Sequence, residues 1–395
     1  MNAHEIAPRS RTLDLDELID DRSIRVVVCC GSGGVGKTTT AAALALRAAD
    51  RGRKVVVLTI DPARRLAQSL GLTELDNDPR PVEGVTGTGS LDAMMLDMKR
   101  TFDEFVESNA DAERAATIIA NPFYQSLSSS FAGTQEYMAM EKLGQLRSRA
   151  EAEASWDLIV VDTPPSRSAL DFLDAPRRLG SFLDGRFIRL LAAPAKAGGR
   201  AYMKVLSAGF GMFTSVLTKV IGGQVLVDVQ TFVASVDTLF GGFRQRADET
   251  YAMLKAPDTA FVVVAAPERD ALREASYFVD RLEADDMPLA GLVLNRVQTS
   301  GVPDLDAATA TAAAARLEQG ARASTTAAIL RIHAERVATL ERQRRLAERF
   351  TSAHRAVPVA VVPTLAADVV DLAGLRTVGA ALGSPLESHP ARSTP

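Results

Sequence analysis

Residues 31–39 have the sequence Gly-Ser-Gly-Gly-Val-Gly-Lys-Thr-Thr, directly after an apolar, β-branched run at 24–30 and directly before an alanine-rich stretch with helical spacing. This order of a strand, G-x-x-x-x-G-K-[ST] and a helix is the pattern of a loop that encloses phosphate groups. The glycines let backbone N–H groups approach an anion closely, and the following helix presents its N-terminus to it. A chain with this loop is constrained to an α/β fold.

The side chains of the loop indicate a nucleoside triphosphate with Mg²⁺ as the ligand. We expect Lys37 to neutralise the β- and γ-phosphates and the Thr38 hydroxyl to bind Mg²⁺ directly. The predicted contacts to the nucleotide come from the whole loop, which comprises Gly31, Ser32, Gly33, Gly34, Val35, Gly36, Lys37, Thr38 and Thr39.

Strand-like and helix-like segments alternate along most of the chain, which predicts a mostly parallel, doubly wound sheet with helices on both faces. Several of the strands are continuous Val/Ile/Leu runs, as expected for strands buried on both faces. The predicted strands are 24–30, 54–60, 157–161, 260–265, 289–294 and 357–362, with a weaker one at 93–98. The predicted helices include 38–51, 135–152, 271–283 and 369–382.

The alternation stops between about 171 and 255, which predicts a helical insertion in a discontinuous P-loop core of residues 22–170 and 256–383. Residues 1–21 are predicted to be a flexible N-terminus and 384–395 a disordered tail. The Ala-rich stretch 307–315 is low in complexity and is predicted to be loosely ordered. Residues 325–349 are predicted to form one or two helices.

Composition excludes several classes of function. The net charge of −4 argues against a nucleic-acid binder. The two cysteines, Cys29 and Cys30, are adjacent in a strand, so they point to opposite faces and are expected to be buried and unbridged. No thiolate metal site is expected from so few cysteines and four histidines. We find no signal peptide and expect a cytoplasmic protein.

Two aspartates follow predicted strands at the edge where ligands bind in open α/β sheets. Asp162 ends the run at 157–161, where it is placed to hold a water molecule of the Mg²⁺ shell. Asp61 follows the strand at 54–60. Its carboxylate either reaches the Mg²⁺ shell through water or orients the attacking water, or it merely caps the next helix.

The choice of base is indicated by the segment after the strand at 289–294. Guanine-specific relatives carry Asn-Lys-x-Asp there, and the aspartate accepts from the N–H groups of guanine. This chain has Asn295, Arg296, Val297 and Gln298. The asparagine is present and the aspartate is replaced, so we predict ATP as the nucleotide, although Asn295 alone is weak evidence because asparagine is common in turns.

Five segments of the sequence together resemble one family; they are GSGGVGKTT, TIDPARRLAQSLG, LDAMMLDMKRTFDEF, GTQEYMAMEKL and VVDTPPSRSALDFLDAP. The resemblance is to the arsenite-pump and tail-anchored-protein-targeting ATPases, within them to actinobacterial anion-transporting-ATPase-like proteins, and it extends over 22–382. It implies a nucleotide-driven dimer whose two sites face each other. It also implies that Asp61 lies in the first switch, residues 162–167 in the second, and Asn295 in the adenine pocket.

The loop departs from the family at Ser32, where members usually carry a second lysine that reaches the partner's phosphates. Serine cannot supply that charge, so a homodimer is expected to hydrolyse ATP poorly unless Arg64, Arg65 or Arg167 substitutes for the lysine. This observation motivates the hypothesis of a heterodimer with a lysine-bearing paralogue. In the alternative, this chain is an ATP-binding regulatory subunit and its partner hydrolyses the nucleotide.

The predicted insertion is rich in apolar and basic residues. Seven basic residues lie within 177–204, and Phe210, Met212 and Phe213 follow in a stretch without charge. These apolar residues either form the insertion's own core or line a groove for a hydrophobic helical client, with the basic flank facing a membrane surface. The family resemblance favours the groove and therefore the targeting of membrane proteins.

Two further functions are less favoured. The cysteines that bind arsenite in the pump ATPases are missing, as is the Cys-x-x-Cys of the targeting factors. Partition-type ATPases share the loop but are typically shorter, lack the large helical insertion and use a C-terminal membrane helix or a DNA-binding surface. The polar C-terminus of this chain has no amphipathic face.

Overall fold

The computed structural model of the chain describes residues 11–61, 65–122, 124–125, 134–164, 245–319 and 324–383. Contacts divide it into two units. The sheet unit takes in the described parts of 1–95, 149–169 and 254–395, and the helical unit those of 96–148 and 170–253. Residues 96–148, which the sequence analysis placed in the core, group with 245–253.

The sheet unit contains eight strands in the order β3-β4-β2-β5-β1-β6-β7-β8. Neighbouring strands are parallel except for β3 and β4. The strands are β1 (Val26–Cys30), β2 (Lys54–Thr59), β3 (Arg80–Pro81), β4 (Ser90–Met95), β5 (Leu158–Asp162), β6 (Thr259–Ala265), β7 (Leu289–Val297) and β8 (Val359–Pro363). The α/β fold and the six clear strands of the sequence analysis are confirmed, and the weaker one lies a few residues earlier, as β4.

Helices cover the sheet. In the sheet unit they are α1 (Leu15–Asp20), α2 (Lys37–Asp50), α3 (Arg65–Ser69), α8 (Arg269–Ala284), α9 (Ala307–Glu318), α10 (Ser324–Ala353) and α11 (Leu372–Gly383). The helical unit contains α4 (Met98–Asn109), α5 (Ala112–Ile119), most of α6 (Thr134–Glu153) and most of α7 (245–254).

The central strands are buried on both faces because each is a run of apolar residues between two helical layers. One face, which includes Val27 and Cys29 of β1, packs against α2 and α11. The alternate residues, which include Cys30, point to the other face. Both cysteines are free and buried, as predicted.

The helical unit has a core of its own around aromatic residues of α4. The rings of Phe102 and Tyr124 are stacked at 5.2 Å, and the Tyr124 hydroxyl donates to Asp103 at 2.6 Å. Arg246 of α7 lies over the Phe105 ring and donates to Glu141 of α6 at 3.2 Å. Burial and the Asp103 carboxylate both raise the pKa of Tyr124, so this phenol stays protonated.

Two predictions about order were wrong where the structure describes the chain. Residues 11–21, predicted to be flexible, include α1, whose Leu15 and Ile19 are fully buried and whose Asp16 pairs with Arg47 of α2. The Ala-rich stretch 307–315 is ordered within α9. Its first turn is capped by Asp306, and alanine has the highest helix propensity of any residue.

Candidate nucleotide site at the carboxyl end of the sheet

The loop of residues 31–36 joins the end of β1 to the start of α2, as the sequence predicted. Gly36, the residue before α2, has φ of 95°, a left-handed conformation that favours glycine. A side chain there would also collide with the amide of Asn295, and one at Gly31 would collide with the carbonyl oxygen of Val264. The loop can take this path only with glycine at both positions.

Lys37 is 6% exposed and its Nζ donates to the backbone oxygen of Ser32 at 2.8 Å. Burial lowers the pKa of this amine, and the neighbouring Asp162 carboxylate acts in the opposite direction. The loop therefore wraps around its own lysine. From this position the ammonium group can exchange its hydrogen bond to the Ser32 carbonyl for one to a phosphate oxygen with little movement of the backbone.

Asp162 lies at the end of β5, between the ends of β1 and β2. In the parallel register it is opposite Cys29 of β1 and opposite Thr59 of β2. Its Oδ2 accepts from the Thr38 hydroxyl at 2.7 Å and from the Thr59 hydroxyl at 2.9 Å. Hydrogen bonds to a single carboxylate oxygen thus link the first turn of α2 to the end of β2.

Burial raises the pKa of Asp162 to about 6, against the two hydroxyl hydrogen bonds and the Lys37 charge, which lower it. Its other oxygen, Oδ1, is buried and has no hydrogen-bond partner among the described residues. The Thr38 hydroxyl and this spare carboxylate oxygen are hard oxygen donors, the type that hydrated Mg²⁺ prefers. The donor set of the site therefore fits the ion predicted from the sequence.

Asp61 lies two residues beyond Thr59 and is half-buried. Its backbone N–H donates to the Thr59 hydroxyl at 3.2 Å, so the turn after β2 is linked to the same hydroxyl that binds Asp162. Residues 62–64 lie outside the described part, as do 165–167, so the substitutes proposed for the second lysine, Arg64 and Arg167, are not placed and the side chain of Arg65 is not described.

Asn295 lies against the loop from the side of β7. It is 8% exposed, its Nδ2 donates to the Val35 carbonyl at 2.8 Å, and its Oδ1 accepts from the Arg296 N–H at 2.9 Å. The structure thus brings Lys37, Thr38, Asp162 and Asn295 to one edge of the sheet.

Two threonines of the site, Thr59 and Thr163, lie in segments that carry the family resemblance, but the sequence does not indicate their contacts. Thr59 is the last residue of β2, and Thr163 donates through both its N–H (3.2 Å) and its hydroxyl (2.9 Å) to the Cys29 carbonyl. The strand register supplies their positions, because strand ends that are adjacent in a parallel sheet meet at one edge. Only a correct strand order would have predicted the contact of Thr59 with Asp162.

Comparison with known proteins agrees with this geometry. The sequence profile of a family described as "Anion-transporting ATPase" matches residues 24–319. The chain belongs to the anion-transporting ATPase family. It is 27% identical over 288 residues to the ATPase get3 of Schizosaccharomyces pombe, and 28% identical over 292 residues to the ATPase get3 of Aspergillus terreus. Each alignment covers 72% of this chain and 76% of the relative.

Membership confirms the resemblance drawn from the sequence and identifies the chain as a nucleotide-binding ATPase. The matched span of the anion-transporting ATPase family includes every residue assembled at the site above. Among the helices that the structure describes, none has the length and apolar character needed to span a membrane.

The elevated pKa of Asp162 predicts a specific pH dependence of stability in the nucleotide-free protein. A group whose folded-state pKa lies above its unfolded value favours folding below about pH 4, and that contribution is lost as the pH rises through 6. The substitution Asp162→Asn removes this titration. The free energy of unfolding of the variant minus that of wild type should therefore be about 1 kcal/mol higher at pH 7.5 than at pH 5.0.

Urea unfolding with EDTA present, followed by the fluorescence of the single tryptophan, Trp156, measures this difference in the sheet unit. Asp304→Asn, which changes an exposed carboxylate, is the control. An equal effect of Asp162→Asn at the two pH values would show that burial does not destabilise the ionised carboxylate.

Proposed function

We propose that the chain is a Mg-ATP-dependent ATPase that works as a dimer and couples its nucleotide cycle to the capture or targeting of hydrophobic membrane-protein segments. The observation that carries the proposal is the buried Asp162 carboxylate, hydrogen-bonded to the Thr38 hydroxyl and with a spare oxygen. A buried carboxylate with an unused acceptor atom is costly in a purely structural role. It is explained if that atom accepts from a water of the metal shell.

The proposed roles follow from the contacts at the site. The backbone N–H groups of 31–39 and the Lys37 ammonium group bind the phosphates. The Thr38 hydroxyl binds Mg²⁺ directly, and Asp162 and Asp61 bind it through water. When bound, Mg²⁺ neutralises charge that develops on the β- and γ-phosphates.

Asp61 has a second proposed role at the γ-phosphate, and Asn295 has one at the base. Asp61, at the end of β2, orients the attacking water towards the γ-phosphate. Asn295 lies beside Val35 and Gly36 and contacts the adenine base. Its amide is held by hydrogen bonds at both polar atoms, which supports a fixed position at the edge of the site.

Ser32 argues against self-sufficient hydrolysis by a homodimer, because it occupies the position of the family's second lysine, which serves the opposite site. In this chain the Ser32 carbonyl binds the chain's own Lys37, and its side chain brings no charge. This observation favours a second candidate, an ATP-binding subunit that pairs with a lysine-bearing paralogue. Thr38 and Asp162 remain in place, which favours a competent site of its own once a cation is supplied.

The client is proposed on the family resemblance and on the composition of 171–255. Apart from 245–255, this insertion lies outside the described residues, and so do Phe210, Met212 and Phe213. Their spacing and the basic flank support a groove for an apolar helix and contact with the surface of a membrane by a cytoplasmic protein.

The substitution Ser32→Lys tests the role of the missing cation. A charge supplied across the interface in related phosphoryl-transfer enzymes raises the rate by about 10³-fold or more. We therefore expect the lone wild-type chain to hydrolyse ATP slowly and the Ser32→Lys chain to be at least about tenfold faster, with Ser32→Asn as the neutral control. A wild-type rate equal to that of Ser32→Lys would remove the reason to propose a lysine-bearing partner.

Deletion of 201–243 tests the client groove. The deletion variant should still bind ATP but should no longer bind a peptide corresponding to an apolar transmembrane helix in the presence of Mg-ATP. Lys37→Met, which removes the phosphate contact, is the comparison that separates loss of the groove from loss of the nucleotide. Unchanged peptide binding by the deletion variant would refute the groove.

A further inference from the structure

The C-terminal end of β7 contains a bulge next to the candidate nucleotide site. Leu294 pairs with Val361 of β8, and the next pair joins Val297 to Pro363, so β7 has one extra residue between the two pairs. Arg296 within this segment has φ of 58°, a left-handed conformation that is unfavourable for a residue other than glycine. A strained bulge persists only where the surrounding contacts hold it.

The bulge determines where the side chain of Asn295 lies. Asn295 accepts from the Arg296 N–H, and its Nδ2 donates to the carbonyl of Val35 in the phosphate loop. Each polar atom of the amide therefore has a hydrogen-bond partner. A change in the path of residues 295–298 would move Asn295 relative to Gly36, with which it is in close contact.

The far side of the bulge is held from α10. The Oε1 of Gln343 accepts from the backbone N–H of Gln298 at 2.8 Å. The side chain of Gln298 donates to the Thr364 hydroxyl at 3.3 Å. The residues of α10 one turn to each side of Gln343, Leu340 and Ala347, are 2% exposed, so this part of the helix is fixed in the core.

We propose that Gln343 is a positioning residue for nucleotide binding, which acts through residues 295–298 on Asn295 and the phosphate loop. This assigns a role to the Ala-rich and charged region of 299–350, which the motifs leave unexplained. The proposal rests on the proposed function, because it assumes that the loop of 31–39 binds ATP. Gln343 itself touches neither the loop nor Asn295 through any hydrogen bond that the structure gives it.

Three substitutions in α10 test this role by equilibrium binding of a non-hydrolysable ATP analogue with Mg²⁺. Gln343→Leu keeps the size of the side chain and removes the acceptor, and it should weaken binding about fivefold, the effect of one lost hydrogen bond. Gln343→Glu keeps an acceptor oxygen and should stay within about twofold of wild type. Arg349→Leu changes an exposed residue of the same helix and should have no effect.

A double-mutant cycle distinguishes positioning from a general loss of stability. If Gln343 acts through Asn295, then Asn295→Ala combined with Gln343→Leu should bind the analogue no more weakly than Asn295→Ala alone. Additive losses, or wild-type affinity in Gln343→Leu, would overturn the proposal. If Gln343→Leu does not fold, Thr364→Val, which removes the other support of Gln298, takes its place in the cycle under the same criteria.

Different results would refute the proposed function and the role of Gln343. A wild-type chain that does not bind the analogue would contradict the proposed function itself. Normal binding by wild type together with wild-type affinity in Gln343→Leu, or in Thr364→Val where that variant replaces it, would leave that function intact and refute only the role of Gln343.

Discussion

The carboxylate of Asp162 joins three structural elements through one oxygen atom. It accepts from Thr38 in the first turn of α2 and from Thr59 at the end of β2, and it belongs to β5, the strand between β1 and β2. The phosphate loop, the turn that carries Asp61 and the last residue of β5 thereby lie at one edge of the sheet. The remaining oxygen is directed to no described partner, which leaves it for a ligand.

This arrangement has an energetic cost in the nucleotide-free protein. Complete burial opposes the ionised form of Asp162, and only two neutral hydroxyls and the nearby Lys37 offset that cost. A neutral amide at the same position would be easier to bury. The carboxylate is consistent with a site in which part of the stability of the empty protein is given up for affinity towards a cation.

In the sheet unit, the parts that could be predicted from the sequence are those that a contiguous stretch of residues identifies. The phosphate loop is a contiguous motif, and the strands are apolar runs bounded by turns, so neither depends on distant contacts. The prediction for 307–315 was wrong because low complexity was taken as a sign of disorder, although alanine favours helix. Residues 11–21 do carry a helix signal, with Leu15 and Ile19 at helical spacing after the N-cap residue Asp14, but the segment is short and its order also depends on distant partners such as Arg47.

The parts of the site that the sequence did not indicate depend on strand order and register. Thr59 becomes a partner of Asp162 only when β5 is placed beside β2, and Gln343 reaches Gln298 across 45 residues of chain. The bulge at Arg296 has no composition signal, because arginine is not a residue that favours a left-handed backbone. Ser32, by contrast, was visible as a departure from the family's loop, and its consequence concerns a second subunit.

The most direct test of the account is the effect of Mg²⁺ on nucleotide affinity in wild type and in Asp162→Asn. If the spare oxygen of Asp162 holds the hydrated ion, Mg²⁺ should strengthen the binding of a non-hydrolysable ATP analogue to wild type by roughly tenfold, and this gain should largely disappear in the variant. Affinity without Mg²⁺ should be similar for both proteins. The same gain from Mg²⁺ in Asp162→Asn as in wild type would contradict the central role of the carboxylate.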